Sequence, residues 1–209
     1  MYKIIICEDH DIVVEGVRLV LSGWPDFQLI GHAHTEAELL PLLEKQPHIL
    51  LLDLNLKKQD GFQILNKIKP NYPNLKTLIL TMYEDAFLID KAKKLRANGY
   101  LLKNSSNGEL LEALNHVTVS GEFFLPAGLQ KHKLEQETYR DKFVEKMHLT
   151  SREIEIIRLV VDGKTGKEIA AQLFLSLYTV DTHRRNILAK LKLKNIADLV
   201  RFAFDHHLV

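Results

Sequence analysis

The chain has 209 residues, 28 Lys+Arg against 27 Asp+Glu and a net charge of +1, with 46% hydrophobic and 26% charged residues. That makeup suits one large or two small globular domains and by itself names no partner. The single cysteine, Cys7, excludes an intrachain disulfide; no apolar stretch nears the ~20 residues of a membrane span, and Met1-Tyr2-Lys3 leads into a strand rather than a secretory signal, so a cytoplasmic protein with no membrane partner is expected.

Strands and helices alternate through the first 120 residues. Lys3 to Cys7, Gln28 to His34, Ile49 to Leu54, Lys76 to Thr81 and Gly99 to Leu102 are the predicted strands, short apolar runs bounded by polar residues, as expected of strands buried on both faces. Helical spacing fills the intervals, as in Val13, Val17, Val20 and Leu21, and Ser106 with Glu109 forms a capping box before a closing helix. Five such units predict an α/β doubly wound five-stranded parallel sheet with right-handed crossovers and helices on both faces.

Gly121, Pro126 and Gly128 then break the pattern. Residues 121–148, of mixed charge and with few large apolar side chains, are expected to be a linker; a helix joining two domains is the alternative, and Leu134, Phe143, Val144 and Met147 could dock locally. Residues 149–209 read as four short helices forming a small all-α domain. Thr150 with Glu153 and Thr165 with Glu168 are capping boxes, Gly163 ends the first helix, Phe174-Leu175-Ser176 turns into a third from Leu177 to Leu191, and Asn195 caps the last. Charge divides the same way: residues 1–120 carry 13 Lys+Arg and 15 Asp+Glu, whereas residues 150–209 carry ten against seven.

The strand ends carry the chemistry. Ile4-Ile5-Ile6-Cys7 stops on Glu8-Asp9, and Ile49-Leu50-Leu51-Leu52 stops on Asp53, which sets three carboxylates at the carboxyl edge of one parallel sheet, where open α/β sheets bind ligands. Crowded acids need a counter-charge, and oxygen-liganded Mg²⁺ supplies one. Thr81 and Lys103, at the ends of the fourth and fifth predicted strands, add a hydroxyl and an ammonium to that edge. Taken singly each has a plain reading: Asp9 or Asp11 as a helix cap, Asp53 satisfying loop amides, Thr81 as a β-branched strand residue, Lys103 as a solvated charge. Taken together they suit an aspartate that accepts a phosphoryl group.

In these residues the chain resembles the CheY-like receiver domain of two-component response regulators over residues 1 to about 120. The resemblance implies that Asp53 is phosphorylated by a sensor histidine kinase; that Glu8, Asp9, Asp53 and the backbone carbonyl of Asn55 hold Mg²⁺; and that Thr81 and Lys103 bind phosphoryl oxygens. Tyr100 would be the aromatic whose rotamer follows Thr81, its plain reading being a half-buried strand residue. The chain departs from the family pattern in carrying Lys57, then Lys58-Gln59-Asp60 before Gly61, where a proline is usual, and Asn104 after Lys103, where a cis peptide bond is costlier than before proline.

On the predicted helix from Leu177 to Leu191, Val180, Ile187 and Leu191 share one face and Tyr178, Asp181, Thr182, Arg185 and Ala189 the other, with Arg184, Arg185, Lys190, Lys192 and Lys194 close together. A basic second helix of a helix-turn-helix suits the major groove; a helical bundle with a charged or protein-docking surface is the alternative. Leu149-Thr150-Ser151-Arg152-Glu153, Lys167-Glu168-Ile169-Ala170 and Thr179 to Ile187 are similar to the LuxR-type helix-turn-helix of NarL/FixJ-like regulators. That implies phosphate contacts by Lys167 and Thr179, base-facing Asp181, Thr182 and Arg185, and a homodimer on inverted-repeat double-stranded DNA through the last helix; Arg184 and Lys190, in the basic cluster, are expected to bind DNA as well. Asp181 stands where lysine is usual; an acid can accept from cytosine N4. His183 and the His206-His207 pair lack a second ligand set at metal spacing, so no zinc site is expected.

The expectation is a response regulator whose phosphorylation modulates transcription. One alternative is a phosphorylation-independent DNA-binding regulator. Another is an aspartyl-phosphate phosphatase, against which Asn55 stands where such enzymes carry a second acid.

Overall fold

In a computed structural model the described residues are 1–56, 59–206 and 208, without the side chains of 140 and 141. They form two compact units, 1–132 and 133–209.

The first unit is built on five parallel strands, β1 (Tyr2–Cys7), β2 (Phe27–Ala33), β3 (Ile49–Leu52), β6 (Lys76–Thr81) and β7 (Gly99–Leu102), in the order β2-β1-β3-β6-β7. Between β3 and β6 lies a two-stranded antiparallel hairpin, β4 (Asn55–Leu56) and β5 (Gln59–Asp60). The strands are apolar throughout because alternate residues enter different layers. Ile5, Cys7, Leu50, Leu52, Ile79 and Tyr100 pack beneath α2 (Glu36–Leu43), α3 (Gly61–Ile68) and α4 (Ala86–Lys94). Ile4, Ile6, Ile49, Leu51, Leu78 and Leu101 pack beneath α1 (Asp11–Ser22) and α5 (Asn107–Val119). One register shift interrupts β2: Leu29 pairs with Ile4 but Gly31 with Ile5, so Ile30 is an extra residue and the phase of the strand reverses.

Two local expectations change. β3 ends at Leu52, two residues before the predicted end, because the chain turns there into the hairpin. Neither Asp9 nor Asp11 caps α1: His10 occupies the N-cap without a side-chain cap bond, and Asp11 is the first helical residue. The Lys57-Lys58 departure lies outside the described residues.

Residues 121–148, expected to be a linker, contain the 20-residue helix α6 (Ala127–Lys146). It lacks an apolar stripe, so hydrophobic periodicity does not reveal it. Its Lys, Glu and Gln residues are good helix formers, and Lys133 pairs with Glu137 one turn on at 3.6 Å. Phe143 is buried, Val144 and Met147 pack beside it, and Leu134 is exposed.

In the second unit that Phe143 joins a core with α7 (Ser151–Val161), α8 (Gly166–Leu173), α9 (Leu177–Leu191) and α10 (Ile196–Asp205). Both expected capping boxes are present, as is that of α5, and Asn195 caps α10. Gly163 follows α7 at φ +75°, the left-handed conformation that glycine adopts without strain. Among the described residues no helix is long and apolar enough to cross a membrane.

Candidate functional site

Parallel register sets the strand ends side by side. The Asp53 amide donates to the Cys7 carbonyl at 3.0 Å, and the Lys103 amide to that of Thr81 at 2.7 Å, so Thr81 at the end of β6 and the residues just past β1, β3 and β7 share one edge. Glu8, Asp53 and Thr81 are buried there. Lys103 Nζ reaches Glu8 Oε2 at 2.6 Å and Asp53 Oδ2 at 2.9 Å, bridging two buried acids. Burial alone would lower the lysine's pKa, but hydrogen bonds to Glu8 and Asp53 and their charges outweigh it and raise it. Cys7 beneath them is pushed up to about 12, by burial first and by the Asp53, Glu38, Glu8 and Asp9 charges after it. It is an inert core thiol.

Glu8, Asp9 and Asp53 each offer a carboxylate oxygen within 4.8 Å of the others, and His10 contributes a nitrogen to the same group. Asp53 Oδ1 is buried and accepts no hydrogen bond among the described residues. Hard oxygen donors with an unused buried oxygen among them fit Mg²⁺. The His10 ring was not anticipated. Its Nδ1 lies 2.8 Å from Glu8 Oε1 and 2.9 Å from Asp9 Oδ1 because the chain turns back at the α1 N-cap, a contact invisible in a linear motif. Asn55 is exposed in β4, two residues past Asp53.

Gly61 packs its backbone against the Asp53-Leu54 segment that follows β3: a Cβ there would lie 2.1 Å from the Asp53 carbonyl oxygen and 2.9 Å from Leu54 Cα. Its amide donates to the Leu54 carbonyl at 3.0 Å, which locks the start of α3 against the residues around Asp53.

Tyr100, expected to be half-buried, is fully buried, and its hydroxyl donates to the Tyr83 carbonyl at 2.9 Å. Burial, with the charges of Asp85 and Tyr83 behind it, raises its pKa. The Tyr83 amide in turn donates to Thr81 Oγ1 at 3.5 Å. Thr81 and Tyr100 are therefore joined through one exposed residue's backbone, which no side-chain pattern could reveal. Every peptide bond among the described residues is trans, Lys103-Asn104 included.

In the second unit, Phe174 closes α8 in the left-handed conformation (φ +54°), and Ser176 caps α9 by accepting from the Thr179 amide. Val180, Ile187 and Leu191 are buried as expected; Tyr178, Asp181 and Arg185 are exposed, Thr182 partly so, and Lys167 is exposed on α8. The Thr182 hydroxyl donates to the Tyr178 carbonyl at 2.9 Å and accepts from Arg185 at 3.4 Å, which draws the guanidinium along the helix surface.

Two expected cations are engaged elsewhere. Lys190 Nζ donates to Glu153 Oε2 at 2.7 Å and to the His148 carbonyl at 2.8 Å. Burial would raise the Glu153 pKa, but Lys190 and Thr150 together hold it below the usual carboxylate range. Arg184 NH1 lies 3.9 Å from Asp181 Oδ1, beside Gly166, and its Nε is buried without a hydrogen-bond partner among the described residues. Lys190 braces α9 against α7, and Arg184 wedges between α8 and α9. His206 stacks on Phe143 at 4.6 Å between ring centroids; His207 lies outside the described residues.

Comparison with known proteins agrees in both units. Residues 4–115 match the response regulator receiver domain and residues 147–203 the bacterial regulatory proteins of the luxR family. The chain is 33% identical over 209 residues to the uncharacterized transcriptional regulatory protein YhcZ of Bacillus subtilis (strain 168), covering 99% of this chain and 97% of that one. It is 33% identical over 219 residues to the oxygen regulatory protein NreC of Staphylococcus epidermidis, covering 99% of each. Among solved structures, RcsB from Salmonella enterica serovar Typhimurium, bound to promoter rprA in the presence of the phosphomimetic BeF3⁻, superposes with a TM-score of 0.64 at 27% identity, over 97% of this chain and 98% of that one.

Proposed function

Because the chain belongs to the two-component response regulators that join a receiver domain to a LuxR-type DNA-binding domain, we propose that Asp53 is its phospho-acceptor and that modification there changes DNA binding by the α8–α9 helix-turn-helix. The observation that carries the proposal is Lys103, held by Glu8 and Asp53 at one edge of the sheet beside an Asp53 oxygen that has no hydrogen-bond partner among the described residues.

A carboxylate oxygen of Asp53 attacks the phosphorus of a phosphohistidine on a sensor kinase; the phosphorus–nitrogen bond breaks and the imidazole leaves. Glu8, Asp9, Asp53 and the carbonyl of Asn55 would hold Mg²⁺, which supplies positive charge against the phosphoryl oxygens. Lys103 keeps its proton, by the raised pKa, and turns from Glu8 toward the new oxygens, which the Thr81 hydroxyl also approaches. As Thr81 turns, its bond to the Tyr83 amide is lost, and the Tyr83 carbonyl holds Tyr100 less firmly. The phosphoryl group thus biases the surface at the ends of β6 and β7 by a population shift.

In the output domain, Lys167 and Thr179 fit phosphate contacts, and Asp181, Thr182 and Arg185 base edges. Arg184 and Lys190 serve as the internal supports of that surface. A homodimer on an inverted repeat, in the cytoplasm, is the arrangement this family membership favours. A phosphatase reading has no support from that membership, and Asn55 leaves it without a second acid.

The full chain incubated with Mg²⁺ and a small acyl-phosphate donor should gain one phosphoryl group by intact mass, and Asp53→Asn should gain none. Phosphorylation should change affinity for promoter DNA. A wild-type chain that takes no phosphoryl group would overturn the acceptor role. Phosphorylation with unchanged DNA affinity and oligomeric state would favour a phosphorylation-independent regulator.

A further inference from the structure

A second cluster of metal-ligating atoms sits apart from the acidic pocket. Asp11, His32 and His34 bring one ligand atom each within 4.8 Å of one another, and none of them belongs to the Glu8, Asp9, His10 and Asp53 group. We propose that these three residues form a binding site for a borderline divalent transition ion, of which Zn²⁺ is the type.

The backbone builds the arrangement. The extra residue in β2 reverses its phase, sending Ala33 into the core beneath α2 and turning the flanking His32 and His34 together toward α1, whose first residue is Asp11. β2 is an edge strand, so both rings reach solvent, His32 exposed and His34 partly so. The rings meet edge to face at 5.2 Å.

His34 is oriented for ligation. Its Nδ1 lies 3.1 Å from the backbone carbonyl of Glu8. A carbonyl only accepts, so the proton belongs on Nδ1 and the lone pair on Nε2, as in metal-ligating histidines whose other nitrogen is fixed by an outer acceptor. That Nε2 faces Asp11 Oδ1 at 3.7 Å. In tetrahedral zinc with bonds of about 2.0–2.1 Å the ligand atoms lie roughly 3.4 Å apart, which small side-chain rotations of exposed residues can reach. Two imidazoles and one carboxylate leave the fourth position to water, and such donors suit zinc better than Mg²⁺, which the all-oxygen pocket suits.

The test uses the full, untagged chain with Mg²⁺ in large excess, so that the acidic pocket is filled. Zn²⁺ is titrated by calorimetry, and Co²⁺ stands in for it in visible absorption, where a tetrahedral site has strong d–d bands. The wild type should bind one ion, His32→Gln and Asp11→Asn should each weaken it at least about tenfold, and the double variant His32→Gln/His34→Gln should abolish the bands. His10→Gln should leave them unchanged, and circular dichroism should match the wild type throughout, since the altered side chains lie at the surface. No binding by the wild type, equal binding by the double variant, or loss on changing His10 alone would overturn the proposal.

Discussion

Gly61→Ala should damage the acceptor site through the backbone alone. The new methyl would sit 2.1 Å from the Asp53 carbonyl oxygen, 2.9 Å from Leu54 Cα and 3.0 Å from the Asp53 carbonyl carbon. Since real Cβ atoms do not approach closer than 3.0 Å, the start of α3 and the 53–54 backbone must separate by about 1 Å, straining the Gly61 to Leu54 hydrogen bond and shifting buried Phe62. Overpacking of this kind costs about 1–3 kcal/mol, of which about 0.4–1 kcal/mol is offset by the lower unfolded-state entropy of alanine. A net loss of about 1–2 kcal/mol should register in urea unfolding of the receiver. The effect on chemistry should be larger: a displacement of about 1 Å at a reacting group costs up to about 10²-fold in rate. Gly108→Ala is the control, because the nearest atom to its added methyl is Ser106 Oγ at 3.8 Å; it should gain up to about 1 kcal/mol and phosphorylate normally. Gly61→Ala with wild-type phosphorylation kinetics and unfolding midpoint would refute the close-approach argument.

Lys103→Met should cut phosphorylation by about 10²-fold or more, measured by intact-mass time courses. Because the folded-state pKa of Lys103 is raised above its ordinary 10.5, its stabilisation is full below that pH and fades as pH climbs through the folded value. Wild type should therefore lose stability on alkaline titration, and the variant should lack that component. Glu153→Gln should destabilise the second unit by about 2 kcal/mol through the charged bonds it weakens. The wild-type carboxylate, held below its ordinary 4.5, contributes above that pH and loses its contribution as pH falls through the folded value, so acid unfolding curves of wild type and variant should converge. Arg185→Ala should cost about 1–3 kcal/mol of specific DNA binding and relax base preference, whereas Lys167→Ala should weaken all sequences alike and lower the salt slope by about one, both read by fluorescence anisotropy across salt.

The sheet was legible because burial on both faces demands apolar residues at every position, so Ile4 to Cys7 and Ile49 to Leu52 could be read without any alternation. Their carboxylate ends were legible because an apolar run that stops on Glu8 or Asp53 marks the sheet edge, where these buried acids are tolerated by pairing with Lys103. α6 was not legible, having no apolar face for periodicity to detect. Nor was the His10 contact, which depends on how one turn folds back, nor the register shift in β2, which a single sequence marks with no particular residue. Lys190 and Arg184 read as surface cations because charge counts do not tell a solvated ammonium from one that holds Glu153.

The Tyr83 peptide links Thr81 to Tyr100 through its amide and its carbonyl, atoms that every residue but proline possesses. Position 83 could therefore drift freely in side chain among descendants of this protein while the linkage persists, and proline would be the one replacement to sever its amide half. A survey of variation would score such a position as unconstrained, although the proposed switch runs through it.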